Sequence, residues 1–177
     1  MFGVVKKLLL AREISFEEGQ IKLLGQSITM TPTIMFIKLL KEMKKIRPDD
    51  YGDFIYSIAK EVGYTYSKAI KDKYGMDPQK QAEWDLNTLG LSGWGKGELI
   101  KFDVEKKKAI VRVTNSPVVK ELRPSKEPVD FIIAGYIGGS GAAAFKDKTI
   151  ECKEVQCQAM GNPVCMFEVG KNIRKSI

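Results

Sequence analysis

Histidine is missing from all 177 residues, and no other feature of the composition excludes as much. Without an imidazole there is no His general base, no His-based triad, no His zinc ligand and no axial His for haem. Any chemistry falls to Cys, Asp, Glu, Lys and Tyr. Long apolar runs are missing too. The least polar stretch, Pro128 to Phe145, is interrupted by Asp130 and by Gly135, Gly138, Gly139 and Gly141. It falls short of the roughly 20 residues a spanning helix needs, so no membrane partner is expected. Met1 to Leu10 carries Lys6 and Lys7 inside its apolar run, whereas a signal peptide places its charge before an unbroken apolar core; a cytoplasmic chain is expected. Phosphate-binding signatures are absent as well. Gly93-x-Gly95-x-Gly97 leads into a strand instead of following one, and Gly-Lys-Ser/Thr never occurs, so no nucleotide is expected.

What is present reads as a single domain over residues 1–177, long enough to bury a core without disulfides. With 44% hydrophobic and 29% charged residues the chain is globular in character. The net charge of +7 raises the question of nucleic acid. The basic residues are scattered among acids, however, and their densest runs, Lys41 to Arg47 and Lys106 to Lys108, fall at a helix end and in a hairpin turn. A solvated surface accounts for them, and nucleic acid is not an expected partner.

Ile14 and Phe16, then Ile21 and Leu23, are apolar at a period of two around Glu17 to Gln20, which predicts a hairpin. From Pro32 a helical period runs through Ile34, Ile37, Leu40 and Met43 to Arg47-Pro48. Asp49 or Asp50 can cap a second helix reaching Tyr74-Gly75, with Phe54, Ile58, Val62 and Tyr66 as its expected buried stripe. Asp77-Pro78 reads as the start of a third, ending near Leu89-Gly90. A second hairpin follows, through Ile100 and Phe102 and back along Ala109 to Thr114. Ser116 to Pro128 connects, with a short helix at Val118 to Leu122. Val129 to Phe145 is rich in small residues and, as a helix, needs close packing to offset its glycines. Gly135, Gly139 and Ala143 recur every fourth residue and would line one edge, suited to a second copy or to the chain's own fold. Thr149 to Cys157 and Val164 to Val169 form a third hairpin. Hairpins separated by helices, with short links, predict an α+β fold with an antiparallel sheet.

All three cysteines lie near the C-terminus, at Cys152, Cys157 and Cys165. The last hairpin would bring the sulfurs of Cys157 and Cys165 together, and thiolates beside a carboxylate suit zinc. Glu154, three positions before Cys157, would face away on a regular strand, so a bulge at Val155 to Gln156 is required for both to meet one ion. Buried free thiols or a Cys157–Cys165 disulfide are the alternatives. For an apolar ligand pocket the candidates are Trp84, Trp94, Phe131 and Tyr136, with Ser140 as a further polar contact, although plain core packing explains such rings equally well.

The run Glu154-Val-Gln-Cys157-Gln-Ala-Met-Gly161-Asn-Pro-Val-Cys165-Met-Phe167 resembles the C-terminal signature of the 4-vinyl-reductase-like (V4R) domain family, in its stand-alone archaeal and bacterial form. Gly93-Trp94-Gly95 before a strand, and Pro128-Val129 leading to Gly135-Tyr136, are similar to it too. The resemblance spans residues 50–170 and is strongest at the C-terminal end. It implies an α+β fold related to vesicle-tethering subunits and nitric-oxide-sensing domains, a homodimer, and a pocket for a hydrophobic small molecule beside a structural zinc. Glu154, Cys157 and Cys165 match the family's zinc ligands. The fourth, a Cys in the family, is Asp130 here, which leaves Asp130, Cys152 or an empty site. Haem is excluded by the missing histidine. The expected function is hydrophobic-ligand binding or sensing, reported to a separate effector protein. The alternatives are a protein-interaction scaffold and, less favoured, a reductase of a vinyl tetrapyrrole, for which no hydride or electron carrier can be read.

Overall fold

The computed structural model describes residues 13–23 and 25–174; Met1 to Leu10, read above against a signal peptide, lies outside them. The expected first hairpin forms, with β1 (Ile14–Glu17) antiparallel to β2 (Gln20–Leu23) across Glu18-Gly19, both at positive φ. A short exposed strand β3 (Gln26–Ile28) completes a small sheet. Glu13 ties this sheet to the end of the second helix by accepting hydrogen bonds from Lys73 and Tyr74.

Three helices follow: α1 (Thr33–Ile46), α2 (Tyr51–Tyr74) and α3 (Pro78–Leu91). Gly75 stops α2 in the left-handed conformation, a position that favours glycine. Asp77 caps α3 by accepting from the Lys80 amide at 3.0 Å, with Pro78 at the first helical position. Asp50 precedes α2 without capping it, because Arg47 holds its carboxylate.

Four strands form the main sheet in the order β4-β5-β7-β6: β4 (Lys96–Asp103), β5 (Lys108–Thr114), β6 (Ile150–Gln156) and β7 (Cys165–Lys171), with every neighbouring pair antiparallel. A short helix α4 (Pro117–Leu122) and the long α5 (Phe131–Ala144) connect its two halves. On β5 the residues Ala109, Val111 and Val113 point inward, and on β7 Cys165, Phe167 and Val169 do the same. This alternation is that of a sheet with one covered face.

Helix α5 lies between that face and α2, and nearly all of its residues are buried. Each glycine in a helix costs about 1 kcal/mol against alanine. Here the glycines permit a very close helix crossing. A Cβ on Gly139 would sit 2.0 Å from the Lys60 carbonyl oxygen, and one on Gly63 of α2 would sit 2.3 Å from that of Tyr136. The small-residue edge at Gly135 and Gly139 is therefore filled by α2 of the same chain, which decides between the two readings of that edge in favour of the chain's own fold. The expected stripe on α2 is corrected with it. Ile58 and Val62 are 49% and 56% exposed, whereas Tyr56, Gly63, Ser67 and Ile70 are buried. Close backbone approach at Gly63, and not side-chain hydrophobicity, selects the inward face.

Candidate functional site

Two sites emerge, one at the last hairpin and one in the core. At the hairpin, β6 loses register between Glu154 and Gln156, the place where a shared ion would need a bulge. The irregularity turns Glu154 and Cys157 to the same side. The chain then passes through a 3-10 turn (Gln158–Met160) and Gly161, closed by the Cys157 amide donating to Asn162 Oδ1 at 3.1 Å, and returns to Cys165. The donor atoms of Glu154, Cys157 and Cys165 all lie within 4.8 Å of one another, and all three residues are buried. Tetrahedral zinc with sulfur at about 2.3 Å spaces its ligands roughly 3.8 Å apart, so the cluster is close to the size required.

The electrostatics of the cluster suit a cation. Burial, then the neighbouring Asp130 and Cys157, pushes the Glu154 carboxyl up to about 9. Its Oε1 has no hydrogen-bond partner, while Oε2 accepts from the Asp130 amide at 3.1 Å. Cys157 is drawn toward the thiolate by its contact with the Cys165 thiol, which is correspondingly held protonated. Asp130, at the start of α5, is 1% exposed and both carboxyl oxygens are unpartnered; burial pushes it up to about 7. Its oxygens stand outside the compact three-donor set. So does Cys152, which lies on β6 where Gly138 of α5 approaches its Cβ, and whose thiol is raised by burial.

The second site is a cavity of about 20 Å³ between α3, α5 and the sheet, lined by Asp85, Tyr136 and Ser140 among Leu86, Leu99, Phe102, Val111, Phe145 and Val169. Asp85 is fully buried, and burial pushes its carboxyl up to about 7. Asp85 Oδ2 accepts from Ser67 of α2 at 2.5 Å and from Ser140 of α5. Ser67 in turn accepts from Gln81 Nε2. Asp85 Oδ1, Gln81 Oε1, Tyr136 Oη, Tyr66 Oη and Trp84 Nε1 are buried without a partner.

The ligand candidates thus separate. Tyr136 and Ser140 meet at the cavity. Trp84 lies on α3 beside Tyr74, with ring centroids 6.1 Å apart. Trp94 packs edge-on to Phe36. Phe131 packs edge-on to Tyr51 and borders an open cleft of about 1180 Å³ between α2, α5 and β6, which Glu154 and Asp130 also line. Asp85, Ser67 and Gln81 were not among the sequence candidates. Their one sequence signal was a pair of polar residues, Gln81 and Asp85, one helical turn apart on the face that carries Leu89.

Residues 109–171, which contain the hairpin cluster, match the V4R domain family. Over that segment the chain is similar to V4R domains. Among solved structures, the phenol-responsive sensory domain of the transcription activator PoxR with phenol aligns at a TM-score of 0.78 and 19% identity, covering 91% of this chain and 86% of that one. A vinyl-4-reductase family protein from Methanocaldococcus jannaschii aligns at 0.55 and 22%, covering 80% and 82%. A mutant H-NOX domain from Shewanella oneidensis, in its Fe(II)CO ligation state, aligns at 0.50 and 13%, covering 97% and 90%. No curated protein matches the sequence. These likenesses establish a shared α+β fold for this chain and its neighbours.

Proposed function

We propose that this chain binds a small, largely apolar molecule in the core cavity, as a sensor or carrier. The observation that carries the reading is the set of unpartnered buried polar atoms around Asp85 and Tyr136. Buried polar groups in folded proteins are nearly always hydrogen-bonded, so their concentration beside an apolar hollow marks a place where something else completes them. The likeness of fold to a phenol-responsive domain supports the same reading. At about 20 Å³ the hollow holds about one water, so a ring-sized ligand must displace its walls. Strand β4 suits that movement. It is an edge strand with a register shift between Leu99 and Lys101, and it supplies the part-buried Leu99 and Phe102. A thermal-shift screen with phenols, fatty acids and tetrapyrroles tests the reading: a true ligand at a hundredfold over its Kd stabilises by about 2.7 kcal/mol. If no apolar compound raises the Tm, the sensor reading fails.

Zinc held by Glu154, Cys157 and Cys165, with an Asp130 oxygen moving in as the fourth ligand, is part of the proposal. The unpartnered Glu154 and Asp130 oxygens and the paired thiols fit such an ion, and the ion would clamp the last hairpin. The three cysteines are free and buried, which suits a reducing cytoplasmic setting. Among the described residues no helix is long and apolar enough to cross a membrane. Exposed Ile34, Met35 and Leu39 on α1, with Ile58 and Val62 on α2, favour a protein contact. We assign them to a homodimer, or to the effector protein that would receive the signal. The same residues are what a scaffold reading would rest on.

A further inference from the structure

The wiring of the Asp85 network indicates which chemical head group the cavity accepts. Gln81 Nε2 can only donate, so the Ser67 oxygen it reaches at 2.5 Å has one proton left, and that proton points to Asp85 Oδ2. Ser140 supplies a second donor to the same oxygen. Two donors on one carboxyl oxygen favour the ionised form, while burial in an apolar core opposes it. Among the described residues no Lys or Arg is ion-paired to Asp85, and its other oxygen, Oδ1, has no partner. At Asp85 itself, Oδ2 is filled by two donors and Oδ1 is open. Asp85 and Tyr136 both line a hollow the size of a single water, which is also the size of an ammonium group. Tyr136 Oη, likewise unpartnered, offers a lone pair to a second N–H.

We propose that the cavity takes a small amine, its ammonium paired with Asp85 and donating to Tyr136, and its apolar body lying where Leu99 and Phe102 now stand. This rests on the reading that the cavity binds a small molecule, and it names the class. A carboxylate head would meet Asp85 as a like charge. A neutral hydroxyl would supply a hydrogen bond without a counter-charge.

Benzylamine, benzyl alcohol and benzoate share a ring and differ in the head, so thermal shift and calorimetric titration at pH 8 separate the cases. Benzylamine is expected to bind the wild type at least about tenfold more tightly than benzyl alcohol, with benzoate not binding. In Asp85→Asn that preference is expected to vanish while benzyl alcohol still binds. Tyr136→Phe gives a second variant, expected to weaken the amine more than the alcohol. Benzyl alcohol binding as tightly as benzylamine to the wild type would overturn the proposal and leave the pocket reading standing. So would an amine preference that survives in Asp85→Asn. No binding by any of the three would sink both.

Discussion

Asp85 sits between hydrogen bonds that favour its charge and an interior that disfavours it, and its titration should be visible in stability. Its folded value, about 7, lies above the ordinary carboxylate value of 3.8. The folded protein therefore holds a proton that the unfolded chain has released. Stability from this group is intact below about pH 4, falls as pH rises toward 7, and is fully lost above that, at about 1.4 kcal/mol per pH unit. The groups facing Asp85 are the Ser67 and Ser140 hydroxyls and the Tyr66 and Tyr136 phenols, which do not titrate in that window. Asp85→Asn should make the fall of Tm between pH 4 and 7 shallower, leaving the share of Asp130 and Glu154, and raise the Tm at pH 8; an unchanged slope would show that Asp85 is ionised throughout. At the hairpin, protein purified without added metal should contain about one zinc per chain, and Cys157→Ser should lower both zinc content and Tm. Free thiols in full number with no zinc, and a variant as stable as the parent, would reduce the cluster to buried cysteines.

Among the elements, the α2–α5 crossing is the least tolerant of change. Gly139→Ala pushes a methyl into the Lys60 carbonyl, and Gly63→Ala does the same at Tyr136. Each should cost on the order of 1–3 kcal/mol, read as a fall in urea midpoint, with a larger loss if the helices separate. Lys71 supports the same pairing, its Nζ donating to the Ala143 and Ala144 carbonyls at the end of α5, both at 3.1 Å. Apart from β3 and the 3-10 turn, the described elements were legible in the sequence, because period, caps and turn residues are local signals. Asp77-Pro78 before α3 and the Glu18-Gly19 turn are examples. The irregularity at Val155 to Gln156 was legible only as the condition for Glu154 and Cys157 to share one ion. The face of α2 was not. Ile58 and Val62 outrank Gly63 and Ser67 in hydrophobicity, and only the approach of α5 reveals that the small residues point inward. The Asp85 network was hidden for the same reason, since Ser67, Asp85 and Ser140 come from three helices and meet only once these are packed.

For the whole molecule, the proposed homodimer through the exposed apolar side chains of α1 and α2 predicts that light scattering at micromolar concentration gives twice the chain mass. A mass near 19.8 kDa would remove the dimer. Charged substitutions at Leu39 and Val62, both exposed, should shift the mass toward the monomer without lowering Tm of the isolated chain. The central claim concerns where a ligand goes, because the molecule offers both a small core cavity and a large open cleft. A two-dimensional amide NMR titration with a compound that raises the Tm distinguishes them. The expected result is a set of shifts on α3 around Asp85 and Leu86, on α5 from Tyr136 to Gly141, and on β4 at Leu99 and Phe102. Shifts confined to Lys60, Glu151, Lys153 and Asn172 around the cleft would contradict it.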